Sequence, residues 1–144
     1  NIHEDNNSFF TNNKLGKEEI IRGHESFCKI FESSNKFSCG LLRAFVSEKQ
    51  KKFNSPPVYI KAGFVVTKKK IKKAVPRMRI KRLLREAYRL EKTSIKISAV
   101  TSSREIIFSL SDRGYDKFIN GALDVTALRN DMRDLLNKIF KRST

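Results

Sequence analysis

Cationic side chains crowd residues 62–92, AGFVVTKKKIKKAVPRMRIKRLLREAYRLEK. Lys68, Lys69, Lys70, Lys72, Lys73, Arg77, Arg79, Lys81, Arg82, Arg85, Arg89 and Lys92 are opposed there only by Glu86 and Glu91. The chemistry such a cluster supports is neutralisation of a polyanion rather than bond cleavage. Arginine brings a planar fork of donors that meets two phosphate oxygens at once, and lysine brings a mobile point charge.

Groups able to break bonds are scarce. The two histidines, His3 and His24, stand in no metal-ligand spacing with Cys, Asp or Glu. No glycine-rich phosphate loop or dinucleotide pattern occurs. Asp112, Asp116, Asp124, Asp131 and Asp134 are scattered through the last third of the chain. We therefore expect no catalytic residue and no metal ligand set in the protein. Cys28 and Cys39 form no C-x-x-C motif, and the chain is not cysteine-dense, so reduced thiols in a cytoplasmic protein are expected.

The whole chain agrees with the local picture. Across 144 residues, 31 Lys and Arg against 15 Asp and Glu leave a net charge of +16, which points to nucleic acid first and an anionic membrane surface second. Eleven Phe and 39% hydrophobic residues argue for a packed core. The length suits one domain. No apolar run reaches transmembrane length, and NIHEDNNSFFTNN lacks the basic and apolar segments of a secretory signal.

The elements that must hold the cations can be read from periodicity. Ala62 to Val66 reads as the end of a strand, with Val58, Ile60, Ala62, Phe64 and Val66 on its buried face. Gly63 then points the other way and leaves room for a close neighbour. Ile80, Leu83, Leu84 and Ala87 recur at helical spacing, and Arg77, Lys81 and Arg85 share another face of the same helix. Pro76 suits its first turn. Upstream, Phe27, Ile30 and Phe31 mark the apolar face of a short helix, and residues 36–47 alternate as one strand with Phe37, Cys39, Leu41 and Phe45 on a shared face. Residues 93–101 are open to loop or strand. Glu105–Leu110 reads as a strand, and 111–121 as loop or turn. A last helix is capped by Asp124 or Thr126 and carries Leu128, Met132, Leu135, Leu136 and Ile139 as its stripe. Residues 1–15 read as a flexible polar tail and 16–144 as a single RNA-binding domain. The alternative for the tail is docking through Phe9 or Phe10.

The run Arg77–Arg89, RMRIKRLLREAYR, resembles the Arg-Asn-Arg helix of the bacterial ribonuclease P protein subunit, typically near RNRIKRLLREAYR in that family. Thr67-Lys68-Lys69 is a conservative variant of the Ser-Lys-Lys-like turn before it, and Glu25–Phe31 looks like the family's first helix. Met78 stands where the family has Asn. The resemblance spans most of residues 18–142 and is strongest over 62–90.

It implies an α/β (α+β) two-layer sandwich: about four strands, about three helices and a left-handed β-α-β crossover, against the general right-handed rule. It implies a monomeric protein, one copy per catalytic RNA, in a ribonucleoprotein that removes the 5′ leader of precursor tRNA. The RNA and its bound Mg²⁺ would carry out the hydrolysis. Lys68, Lys69, Arg77, Arg79, Lys81, Arg82 and Arg85 would meet the catalytic RNA. Phe27, Phe31 and Phe45 would border a cleft for the single-stranded leader, where stacking tolerates any base. The competing readings are a structural, ribosomal-protein-like RNA binder with no part in cleavage, and a DNA-binding module that sets the basic helix in the major groove.

Overall fold

A computed structural model describes residues 8–49 and 57–140. Four strands, β1 (Asn35–Cys39), β2 (Leu42–Lys49), β3 (Ile60–Phe64) and β4 (Ser103–Leu110), form one sheet in the order β1-β2-β4-β3. The β1–β2 and β2–β4 pairs are antiparallel and β3–β4 is parallel. Four helices accompany them: α1 (His24–Ser33), α2 (Ala74–Glu91), α3 (Asp112–Ile119) and α4 (Val125–Ile139). The parallel neighbours β3 and β4 are joined through α2, the β-α-β connection that the resemblance implies.

Alternation divides the sheet into two unlike faces. Leu42, Ala44 and Val46 of β2, Ile60 and Ala62 of β3, and Ile106, Phe108 and Leu110 of β4 are buried on one side. There α2 contributes Ile80, Leu84, Ala87 and Tyr88, and α4 contributes the whole stripe from Leu128 to Ile139. The rings of Phe64, Tyr88 and Phe108 meet in this layer at centroid distances of 5.2–6.0 Å. The opposite face holds a smaller cluster of Ile21, Ile30 and Ile107 with Phe27, Phe45 and Val65 against it, to which α1 and the segment just before it contribute. This second face is only partly covered, which leaves room for a ligand.

Several expectations need correction. Residues 36–47 are not one strand but a hairpin, with Gly40 and Leu41 as its loop. Gly40 takes φ +55°, and a Cβ there would strike the Asp131 carboxylate. The two-residue loop changes the parity: Phe37 pairs with Ala44, while Phe45 pairs with Lys36 on the other face. Phe45 therefore does not share a face with Phe37 and Cys39. Residues 111–121 are not loop, because Ser111 accepts a hydrogen bond from the Gly114 N–H and starts α3. Four helices thus lie among the described residues, where about three were expected. Residues 93–101 are neither loop nor strand throughout but include two 3₁₀ turns.

The expected tail is docked from Ser8 onward. Ser8 bridges Lys96, and the Phe9 N–H donates to the Ile95 carbonyl at 2.8 Å. Lys92, the last cation of the basic stretch, is fully buried. Its ammonium pairs with Glu19 at 2.6 Å, donates to the Lys14 carbonyl and sits 4.4 Å from the Phe10 ring centroid. A buried ammonium needs such partners, and the N-terminal segment supplies them. Residues 1–7 and the C-terminal Lys141 and Arg142 lie outside the described residues. No helix among the described residues is long and apolar enough to cross a membrane.

Candidate nucleic-acid interface

The basic turn after β3 is built from the backbone outward. Thr67 accepts from the Lys70 and Ile71 N–H groups through its carbonyl, and from the Lys69 N–H through its hydroxyl at 3.3 Å. Its own N–H donates to the Tyr115 hydroxyl at 3.1 Å, and that hydroxyl lies 3.2 Å from Ser109 Oγ. Ile71 is buried and pins the far side of the turn. Lys68 and Lys69 are left exposed on a fixed support. Lys70 has a weak partner in the exposed Asp112 at 3.4 Å.

Arg77 has a structural task in the turn. Its Nη1 donates to the carbonyls of Ile71 at 3.0 Å and Lys72 at 2.5 Å. It fastens the basic turn to the first turn of α2, and the half-buried guanidinium is turned back from the cationic face. Arg89 is also spoken for, since it forms a two-pronged pair with Glu86. The hydrogen bond from Arg89 is the main reason that the Glu86 carboxyl titrates below its ordinary range.

Four exposed cations of α2 remain, and they divide into two groups. Lys81, Arg82 and Arg85 line a cavity on one side of the helix with Met78, Phe27 and Gly63. Arg79 lines a separate groove with Leu83, Phe118 and Leu123. At about 100° per residue, positions 78, 81, 82 and 85 fall within one broad sector and 79 falls outside it. None of the four meets a carboxylate within ion-pair distance among the described residues. Their charge is available to a partner.

The aromatic residues also separate. Phe31 and Phe45 meet edge to face, with ring centroids 4.9 Å apart and planes at 72°. They line a cavity of about 440 Å³ together with Arg43, Val65, Lys69 and Tyr115. Phe27 is not in it. One helical turn back along α1, it packs over Gly63 of β3 and faces the other cavity. The cleft expected from three phenylalanines therefore has two, and α1 spans from one cavity to the other.

Two further residues belong to the cleft and were passed over in the sequence. Arg43 lies two residues before Phe45 on the same sheet face and lines the same cavity. Its Nε is buried and has no hydrogen-bond partner. Tyr115 fell in the supposed loop. The period-two spacing from Phe45 would have found Arg43; nothing short of the helix assignment would have found Tyr115.

The Ribonuclease P family model matches residues 15–140. This chain belongs to the ribonuclease P protein family. Eighty residues are 39% identical to the ribonuclease P protein component of Chlorobaculum tepidum, covering 56% of this chain and 52% of that one. The component from Chromohalobacter salexigens is 42% identical over 83 residues, covering 58% and 56%. In these matches the chain spans about half the length of the curated relatives. The ribonuclease P protein of Thermotoga maritima shares the fold with a TM-score of 0.62 at 21% identity, over 83% of this chain and 96% of that one. That of Staphylococcus aureus gives 0.59 at 20% identity, over 85% and 95%.

Against the resemblance noted in the sequence, Met78 gains a location. It is 54% exposed and lies at the rim of the cavity that Lys81, Arg82 and Arg85 share. The support of the basic turn does not depend on it, because Arg77 and Tyr115 carry that load. One acid-rich group lies elsewhere: Cys39, Asp131 and Asp134 place their ligand atoms within 4.8 Å of one another. Asp131 already accepts from the Leu41 N–H at 2.9 Å and so holds the β1–β2 loop. Burial first, and then the charge of Asp131, push the Cys39 thiol up and keep it protonated. We assign that group to the hairpin.

Proposed function

We propose that this protein binds the catalytic RNA of ribonuclease P and helps it remove the 5′ leader from precursor tRNA. The observation that carries the reading is the placement of unpaired cations beside an aromatic cleft. Lys69 lines the cavity that Phe31 and Phe45 close, and the exposed cations of α2 continue the positive surface beyond it. An RNA backbone is held by such charges with release of condensed counterions. Unpaired leader bases have the Phe31–Phe45 pair to stack on, and Arg43 supplies an unspent donor for a phosphate or base edge.

On this reading the protein breaks no bond itself. Mg²⁺ held mainly by the RNA carries the hydrolysis, and the protein lowers phosphate repulsion and positions the substrate. One monomer serves one RNA, in the cytoplasm. Lys68, Lys69, Arg79, Lys81, Arg82 and Arg85 meet the catalytic RNA, and Arg77 acts by holding the turn that presents the first two.

Reconstitution tests this directly. Added to the cognate catalytic RNA at low Mg²⁺, the protein should raise cleavage of precursor tRNA at the leader junction. Binding of the RNA without faster cleavage would favour a structural RNA-binding role. Equal binding to duplex DNA would favour the major-groove reading.

A further inference from the structure

The N-terminal segment is tied down at three places before it becomes α1. The Phe9 N–H donates to the Ile95 carbonyl at 2.8 Å, just past the C-terminal end of α2. Glu19 pairs with Lys92 through Oε1 at 2.6 Å and accepts the Gly16 N–H through Oε2 at 3.2 Å. The Ile21 N–H donates to the Ala62 carbonyl at 2.9 Å, beside the Ile20–Ala62 bridge on the outer edge of β3. Only Arg22 and Gly23 separate that bond from α1, and Gly23 turns the chain at φ +91°. At its other end α1 is separated from β1 by Ser34 alone.

We propose that Lys92 is a positioning residue for the 5′ leader, acting through this N-terminal strap. Lys92 is fully buried beneath the strap and out of reach of a polyanion. It fixes the register of the strap on β3, the strap fixes the start of α1, and α1 presents Phe31 to Phe45. The bridge to β3 is a single residue pair, and so short a pairing specifies its register weakly. A slip of one residue would turn the buried Ile21 away from the cluster it forms with Ile30 and Ile107. The ammonium of Lys92 opposes the slip. The Glu19 carboxylate, the Lys14 carbonyl and the Phe10 ring all reach it from the strap, and losing them would leave a charge bare in the core. An apolar side chain at this position would hold the strap by contact but not by register. With its start loose, α1 pivots about Ser34, which lifts Phe27 from Gly63 and turns Phe31 against Phe45. The inference rests on the leader-binding reading above and adds to it a residue outside the cleft.

Two variants test this from opposite sides of the latch. Lys92→Met keeps the bulk and removes the ammonium, and Phe10→Ala removes the ring beside it. The free protein is read first by NMR. The Phe27 ring lies against Gly63, so its ring current displaces the Gly63 α-proton resonances. Both variants should move those resonances toward ordinary values and speed hydrogen exchange at Phe9 and Ile21, while the amides of β4 stay slow. In complex with the catalytic RNA, both should bind leader-bearing precursor tRNA about tenfold more weakly, the scale of one lost base–aromatic stack. Affinity for mature tRNA and for the catalytic RNA should not change. If Lys92→Met does not fold, Phe10→Ala carries the test. The proposal is overturned if the Gly63 resonances stay in place, if leader-bearing and mature tRNA lose affinity equally, or if β4 loses its protection in both variants. A parent that prefers leader-bearing tRNA, with variants that prefer it as strongly, would sink the role of Lys92 alone. A parent complex with no such preference would sink the leader-binding reading, and the role of Lys92 with it.

Discussion

Gly63 of β3 and Phe27 of α1 touch so closely that a Cβ on the glycine would lie 2.7 Å from the ring edge. The backbone of Gly63 is ordinary for a strand, so space alone decides the residue here. The contact sets how near α1 approaches the sheet, and through that the depth of the cavity under Met78. Gly63→Ala should displace Phe27 and destabilise the fold by about 1–3 kcal/mol, the usual scale of overpacking. Urea unfolding would measure it. A stability equal to that of the parent would mean that the ring swings aside without resistance.

A second prediction concerns the join between α2 and α4. Glu91 is buried and accepts from Arg129 Nε at 2.7 Å and Arg133 Nε at 2.9 Å. Burial alone would raise its pKa, but the hydrogen bonds from Arg133 and Arg129 and their charges together outweigh burial. The carboxyl sits below its ordinary value of 4.5. A carboxylate depressed on folding stabilises fully above its unfolded pKa, and the contribution is lost as pH falls through the lower folded value. Glu91→Gln should cost about 1–3 kcal/mol at neutral pH, in line with hydrogen bonds to charged groups. The parent should lose this advantage as the medium is acidified below pH 4.5. Denaturant midpoints for both proteins against pH would show the two curves converge; a constant gap would refute the assignment.

Tyr115 offers a cleaner separation of support from contact. Its hydroxyl takes the Thr67 N–H and meets Ser109, while its ring is buried among apolar side chains. Tyr115→Phe keeps the ring and removes the acceptor. The cost should be about 1 kcal/mol, with the Thr67 amide left wanting a partner. Hydrogen exchange at Thr67 should speed up while exchange in α4 stays slow. Unchanged protection at Thr67 would show that the basic turn holds itself.

How far the sequence discloses this molecule depends on the kind of signal. The α2 stripe of Ile80, Leu83, Leu84 and Ala87 and the α4 stripe from Leu128 to Ile139 are periodic and amphipathic, and they pack as read except that Leu83 is only partly buried. Gly63 is legible too, because a glycine inside an apolar strand implies a close neighbour. The β1–β2 hairpin is not, since Gly40-Leu41 lacks the usual Asn-Gly or Asp-Gly signature and the alternation runs straight across it. Helix α3 is short, and its start rests on the Ser111 cap rather than on a long stripe. Composition also cannot tell a free cation from a spent one. Arg77 and Lys92 look like Arg82 in the sequence, and only partners such as the Ile71 carbonyl and Glu19 set them apart.

The last prediction divides the cations from the cleft under the proposed function. Arg79 and Arg82 line different cavities beside α2, and replacing either with Ala should weaken binding to the catalytic RNA and lower its salt slope by roughly one. If only one of them does so, the RNA runs along that residue's cavity alone. Phe31→Ala and Phe45→Ala should leave that binding nearly intact. They should weaken binding of leader-bearing precursor tRNA to the assembled complex by about 1–3 kcal/mol, the scale of one base–aromatic stack, and spare mature tRNA. Phe31 is 41% exposed, so its truncation should disturb the fold less than that of a buried phenylalanine. Equal affinity of a folded Phe31→Ala variant for both substrates, relative to the parent, would leave the Phe31–Phe45 contact as packing and place the leader elsewhere.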